Sequence, residues 1–180
     1  METCIQEYIT MLKVERNLSS KTINAYKSDL DSYLSYINNL NINSLAGITT
    51  FDIRNYIRIL NRTGKASNSI SRIISSIRSY HKFLSSEKIV KDNPALVIDS
   101  PKIPKKLPEV LSEKEISSIT DSIDKSSKFY QRDRAIIEML YSCGVRVSEL
   151  CDLDISNLFL DDEIVKVMGK GSMERLLPLG

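Results

Sequence analysis

The residues of this sequence best suited to chemistry lie near its end: Arg146, Glu149 and Lys170. An arginine can fork onto two non-bridging oxygens of a phosphate, and a lysine can stabilise developing charge or pass a proton to a leaving oxygen. Glu149 lies one helical turn beyond Arg146 and can reach back to brace it. Such chemistry needs both cations fixed on rigid elements. The run from Asp133 to Tyr141 reads as a helix that stops at Cys143-Gly144, where glycine can take the left-handed conformation that ends a helix. Arg146 follows, and Val147-Ser148-Glu149-Leu150 reads as a second, short helix. Glu163 to Met168 alternates as a strand, Gly169-Lys170-Gly171-Ser172 reads as a turn, and Glu174-Arg175-Leu176-Leu177 as the returning strand. Lys170 is therefore expected at a hairpin tip. Taken singly, either cation would read as an ordinary surface charge.

Upstream, four apolar stripes recur at helical spacing. The first is Ile5, Tyr8, Ile9 and Leu12; the second, capped by Ser19 or Ser20, is Ile23, Tyr26, Leu30, Tyr33, Leu34 and Ile37. The third starts at Thr49 or Thr50 and turns Ile53, Tyr56, Ile57 and Leu60 inward. The fourth, with Ser67 as its expected cap, carries Ile70, Ile73, Ile74, Ile77, Tyr80 or His81, and Leu84. Its opposite face offers Ser67, Asn68, Ser71, Arg72, Ser75, Arg78, Ser79 and Lys82, and no acidic residue occurs between Lys65 and Glu87. Short polar side chains let a helix enter a major groove while arginines reach phosphates or guanine edges. The second helix adds Lys21 and Lys27 to its polar face. The tyrosines fall mainly on apolar faces, which suits core packing better than base stacking. His81, the only histidine, has no metal-ligand partner at suitable spacing.

Residues 1–106 hold 16 Lys+Arg against 9 Asp+Glu, a net of +7, and residues 107–180 hold 9 against 14, a net of −5. A basic half can track a polyanion through counterion release. Pro94, Pro101, Pro104 and Pro108, with Lys102, Lys105 and Lys106, mark a basic, extended linker. Beyond it Ser112 and Glu115 have capping-box spacing and open a helix with Ile116, Ile119 and Ile123 inward. Apolar content of 42% and charged content of 27% fit a globular protein. No apolar run approaches a membrane span and no signal-peptide pattern opens the chain, so a cytoplasmic site and no membrane partner are expected. The three cysteines, Cys4, Cys143 and Cys151, have neither disulfide-framework nor zinc spacing.

Gly144-Val145-Arg146-Val147-Ser148-Glu149-Leu150, then Val167-Met168-Gly169-Lys170-Gly171, then Glu174-Arg175-Leu176-Leu177-Pro178-Leu179-Gly180, together resemble the tyrosine recombinases of the phage integrase family, Xer-type branch. Asn17-Leu18-Ser19 before Thr22-Ile23-Asn24-Ala25-Tyr26, and the Asp92-Asn93-Pro94 and Ser100 to Pro108 segments, extend the likeness over the whole chain. The resemblance implies a mainly α chain. Residues 1–90 would form a four-helix, SAM-like core-binding domain that contacts DNA, 91–110 a Pro/Lys linker, and 111–180 the truncated start of an α+β catalytic domain with a β-hairpin. It implies Arg146 and Lys170 as catalytic residues with Glu149 in support, and strand breakage and rejoining through a 3′-phosphotyrosine without cofactor or metal. DNA contacts are expected from Lys21, Lys27, Ser67, Asn68, Ser71, Arg72, Arg78, Lys105 and Lys106, with a duplex recombination site and a second recombinase subunit as partners. All eight tyrosines precede Arg146, so none matches the nucleophile's place in the family order. The expected role of these 180 residues is thus DNA binding without turnover, the alternatives being a non-catalytic DNA-binding fragment and a helical protein-interaction module.

Overall fold

Each of the four upstream apolar stripes forms a helix in the computed structural model, which describes residues 2–101, 107–169 and 173–179. They are α1 (Glu2–Val14), α2 (Ser20–Asn39), α3 (Thr50–Arg62) and α4 (Ser67–Ser86). Ser19 caps α2 by accepting from the Thr22 backbone N–H, and Thr49 forms a reciprocal capping box with Asp52 at the start of α3. Thr50 is left for another contact, donating to the Pro94 carbonyl at 2.8 Å. The cap expected from Ser67 is corrected: Ala66, in an extended conformation, precedes α4 without a side-chain cap bond, and Ser67 is already helical. The Ala66 carbonyl accepts the first helical bond, from Ile70 N at 3.0 Å.

The chain divides into two compact units, Met1–Lys105 and Lys106–Gly180. In the first, α4 is the central element, burying Ile70, Ile73, Ile74, Ser76, Ile77, Tyr80, His81 and Leu84 against Tyr8, Leu12, Leu30, Tyr33, Ile37, Ile53 and Tyr56 of the other helices. Both candidates for the inward position, Tyr80 and His81, are buried. Val90, Ala95 and Ile98 join the same core, so the proline-bearing stretch begins as packed chain. Asn93 secures it, its side-chain amide donating to the Arg78 carbonyl and its side-chain oxygen accepting from Ala95 N.

His81 Nε2 lies 3.0 Å from the Tyr33 hydroxyl, a hydrogen bond inside the core. Burial pushes the imidazole pKa down from 6.5 to about 4. Because the folded state resists protonation more than the unfolded chain, His81 costs no stability above about pH 6.5, and stability falls as pH drops from there toward about 4. The expected loss between pH 7.5 and pH 5 is about 2 kcal/mol. Urea midpoints at the two pH values measure it. His81→Gln, which keeps a partner for Tyr33, should remove most of the difference, and an unchanged slope in that variant would assign the acid sensitivity elsewhere.

In the second unit α5 (Glu113–Asp121), α6 (Tyr130–Ser142) and α7 (Val147–Cys151) precede a three-stranded antiparallel sheet of order β1-β2-β3. The strands are β1 (Leu158–Phe159), β2 (Ile164–Met168) and β3 (Glu174–Pro178). Ser112 and Glu115 make the expected capping box on α5. The helix before Gly144 starts three residues earlier than the sequence suggests, and the two-residue β1 leaves too short a period to read. Central strand β2 buries Val165 and Val167 beneath Cys143 and Val145, with Met139, Leu140, Leu150 and Leu177 around them. Neither α5 nor α6 has a fully buried residue, and Ile119 and Ile136 remain exposed. Among the described residues no helix is long and apolar enough to cross a membrane.

Candidate active site and nucleic-acid interface

Gly144 adopts a φ of +60° directly after α6, reversing the chain at no Cβ cost. Val145 then inserts into the second unit's core, which fixes Arg146 as the residue that starts α7. Arg146 has extended backbone angles, and its N–H is one of the donors a helix start leaves unpaired. Glu149 satisfies it, one carboxylate oxygen accepting from Arg146 N at 2.8 Å and the other from Arg146 Nη1 at 2.5 Å. The brace read from the sequence is therefore two-handed, holding both the backbone and the guanidinium of one residue.

A third contact was not legible in the sequence. Arg175 Nη2, on β3, donates to Glu149 Oε2 at 2.7 Å. Arg175 pairs across the sheet with Val167, and Leu177 with Val165, so the strand period turns Arg175 to the covered face of the sheet. That phase is the signal that could have found it: a cation in register with buried valines needs a buried anion. The Glu149 side chain is only 4% exposed, against 58% for Arg146 and 38% for Arg175. The Arg146 backbone N–H, the Arg146 guanidinium and the Arg175 charge together outweigh burial and hold the Glu149 carboxyl below the usual carboxylate range. The result is an ionised, buried carboxylate with an exposed guanidinium fixed above it. Lys170, the other expected catalytic residue, lies outside the described residues.

In the first unit the expected DNA-contacting residues sort by what else they touch. Lys21, Ser67 and Asn68 are exposed, and Ser71 is half-buried. Lys27 pairs with Asp31 one turn on at 3.1 Å, both about half exposed, a contact of little energetic weight. Arg72 is tied down more firmly. Its Nη1 donates to the buried Asp29 carboxylate at 2.6 Å and to the Ala25 carbonyl at 3.3 Å, while Ser76 donates to the same Asp29 oxygen at 2.9 Å. Arg72 still exposes 44% of its side chain. Arg78 turns toward its own unit, donating to the Ile98 carbonyl at 2.5 Å. Both arginines thus have an internal contact that composition could not show. Lys105 and Lys106 lie outside the described residues. Asp29 also went unread, although an acid in phase with Tyr26 and Tyr33 on a core-facing stripe calls for a cation from another helix.

A helical basic unit followed by a unit with a braced arginine is the arrangement of a family of DNA strand-exchange proteins. Residues 5–88 match the family profile described as phage integrase, N-terminal SAM-like domain, and residues 109–180 match that of the phage integrase family. The chain belongs to this family, the tyrosine recombinases. It is 41% identical over 180 residues to the tyrosine recombinase XerD of Staphylococcus aureus, and 40% identical over 181 residues to that of Oceanobacillus iheyensis. Each alignment covers 100% of this chain and 61% of the relative, so the chain spans about three-fifths of their length. Among solved structures, a lambda integrase dimer bound to a COC′ core site superposes with a TM-score of 0.77 at 21% identity, over 99% of this chain and 62% of that one. The Tn1549 transposon integrase in complex with circular intermediate DNA gives 0.69 at 19% identity, over 98% and 60%. These likenesses establish the fold: a SAM-like helical domain and the opening of an integrase catalytic domain.

Proposed function

We propose that this sequence supplies the duplex-binding domain and part of the phosphate-binding site of a site-specific DNA recombinase, with 1–90 as the binding domain, 91–110 as the linker and 111–180 as the start of the catalytic domain. The observation that carries the reading is the exposed Arg146 guanidinium, held from beneath by a buried carboxylate on a short helix. A cation so fixed meets phosphate charge without reorganising, the condition under which electrostatic stabilisation is strongest. In this reading Arg146 binds the scissile phosphate, Lys170 delivers a proton to the leaving 5′ oxygen, and Glu149 holds Arg146. The attacking tyrosine that would form the 3′-phosphotyrosine is not among the eight present here, so these residues bind and position DNA without cutting it. No metal or organic cofactor enters the scheme. The site of action is the cytoplasm, and a second recombinase subunit completes the partner set.

Salt dependence of duplex binding tests this. Affinity should fall linearly on a log-log plot as salt rises, because each lysine or arginine that meets a phosphate releases counterions. Lys21→Ala removes an exposed charge with no intramolecular partner in the described residues, and should lower the slope by about one. Binding that ignores salt, or that is absent at low salt, would count against DNA as the partner and favour a protein-interaction role for the helical unit.

A further inference from the structure

The hairpin carries a steric feature that the proposed chemistry does not by itself require. Gly169 N donates to the Met173 carbonyl at 2.7 Å, closing the ladder at the end of β2. A Cβ at position 169 would lie 3.1 Å from that carbonyl oxygen, 3.3 Å from Arg175 Nε and 3.6 Å from Arg175 Cδ. The backbone of Gly169 is not in the left-handed region, so its missing side chain matters for space and not for φ. The space is occupied by the Arg175 side chain, which crosses the glycine on its way to Glu149.

We propose that Arg175 is a positioning residue for Arg146, that it acts through the shared Glu149 carboxylate, and that Gly169 is the gap that lets its side chain reach that carboxylate. The proposal rests on the reading of Arg146 as a phosphate ligand. The two oxygens of Glu149 divide the work: Oε1 takes the Arg146 guanidinium, and Oε2 takes the Arg146 backbone N–H and Arg175. With only the bonds from residue 146, the carboxylate is held from one side and can rotate about its last torsion. Arg175 closes the opposite side, from an element 26 residues away in sequence, and pins the carboxylate plane. The direction in which the Arg146 guanidinium points is thereby set by the hairpin as well as by α7. An alanine at 169 has two neighbours to displace. The carbonyl is held by its hydrogen bond, whereas the arginine can swing away, so the expected casualty is the Arg175–Glu149 contact.

The test is nuclear magnetic resonance on the 180-residue chain, following the Glu149 side-chain carboxyl carbon through a pH titration and the Arg146 guanidinium protons at neutral pH. Glu149→Gln assigns the carboxyl signal. In the parent, Glu149 should titrate below the ordinary glutamate range, and the Arg146 guanidinium should show separate, slowly exchanging signals. Arg175→Gln should raise the Glu149 midpoint and collapse the Arg146 signals to an average. Gly169→Ala, with Arg175 still present, should do the same. Arg175→Lys should recover the midpoint in part and the separated Arg146 signals not at all, since an ammonium supplies charge without the planar fork. The methyl shifts of buried Val165 and Val167 report whether the sheet is intact. If Gly169→Ala loses them, Arg175→Gln decides alone, a raised midpoint supporting the proposal and an unchanged one overturning it. In an intact sheet, a Gly169→Ala variant that titrates like the parent overturns it. These readouts involve no DNA: a normal lock with salt-insensitive duplex binding would sink the functional reading, and a missing lock with normal binding would sink this inference only.

Discussion

Alanine at position 146 should lower strand cleavage at least about a hundred-fold, a loss of about 3 kcal/mol in transition-state stabilisation, in a recombinase that joins these residues to the part of its relatives' length they do not span. The size follows from the geometry. Arg146 is held through backbone and guanidinium by one buried carboxylate, so its charge meets the developing charge on the phosphate without reorganisation. Removing it also leaves Glu149 buried with Arg175 as its remaining side-chain partner. Arg146→Lys should recover little, because an ammonium cannot span two phosphate oxygens and the carboxylate together. Duplex affinity should change only a few-fold, since the phosphate contacts of the helical unit are untouched. Single-turnover cleavage of a nicked duplex at saturating enzyme separates the two effects. Near-normal cleavage by the alanine variant would remove Arg146 from the chemistry.

The second large effect belongs to stability and falls on a residue expected to touch DNA. Arg72→Ala should destabilise the helical unit by about 3 kcal/mol, the lower end of the cost of leaving a buried charge without its partner. The lower end applies because Asp29 is only 6% exposed while Arg72 keeps 44% of its side chain in solvent, and Ser76 still donates to the carboxylate. A double replacement, Asp29→Leu with Arg72→Met, should cost less than Arg72→Ala alone, because an apolar pair leaves no stranded charge. Urea midpoints at constant slope give the three values. A double variant less stable than either single one would show that the ion pair contributes net stability. The cycle also guards the DNA experiment: weaker duplex binding by Arg72→Ala counts as a lost contact only if it persists where the helical unit is fully folded.

What could be read from the sequence, and what could not, divides by distance along the chain. Ile70, Ile73, Ile74, Ile77 and Leu84 repeat at helical spacing over five turns, and all are buried. The Arg146–Glu149 brace joins residues three apart, so helix geometry alone brings them together. The capping boxes at Thr49 and Ser112 were legible for the same reason. Asp29 and Arg72 are 43 residues apart, and Glu149 and Arg175 are 26 apart. Their pairing depends on which helix lies against which and on strand register, neither of which a local pattern encodes. In both cases the overlooked residue was a charge on a buried face, where desolvation demands a partner even when its identity is hidden. Membership of the integrase family was legible because its motifs are local runs at fixed spacing.

Helix α4 presents a polar face to solvent while eight of its side chains are locked into the core on the other side. Three of those eight are Tyr80, His81 and Ser76, whose rings and hydroxyl fit only one rotational setting of the helix: Tyr80 against Tyr8, His81 against Tyr33, and Ser76 against Asp29. A helix so keyed cannot roll about its axis to suit a groove of different width without breaking all three contacts at once. The compliance at a duplex interface must then come from the nucleic acid. A sequence that widens or bends at small cost would be favoured over a stiff one, even at base pairs that no side chain reaches. Discrimination by the helical unit would accordingly track the flexibility of base steps as much as their hydrogen-bonding edges, and a rigid scaffold would serve as the gauge against which the duplex is measured.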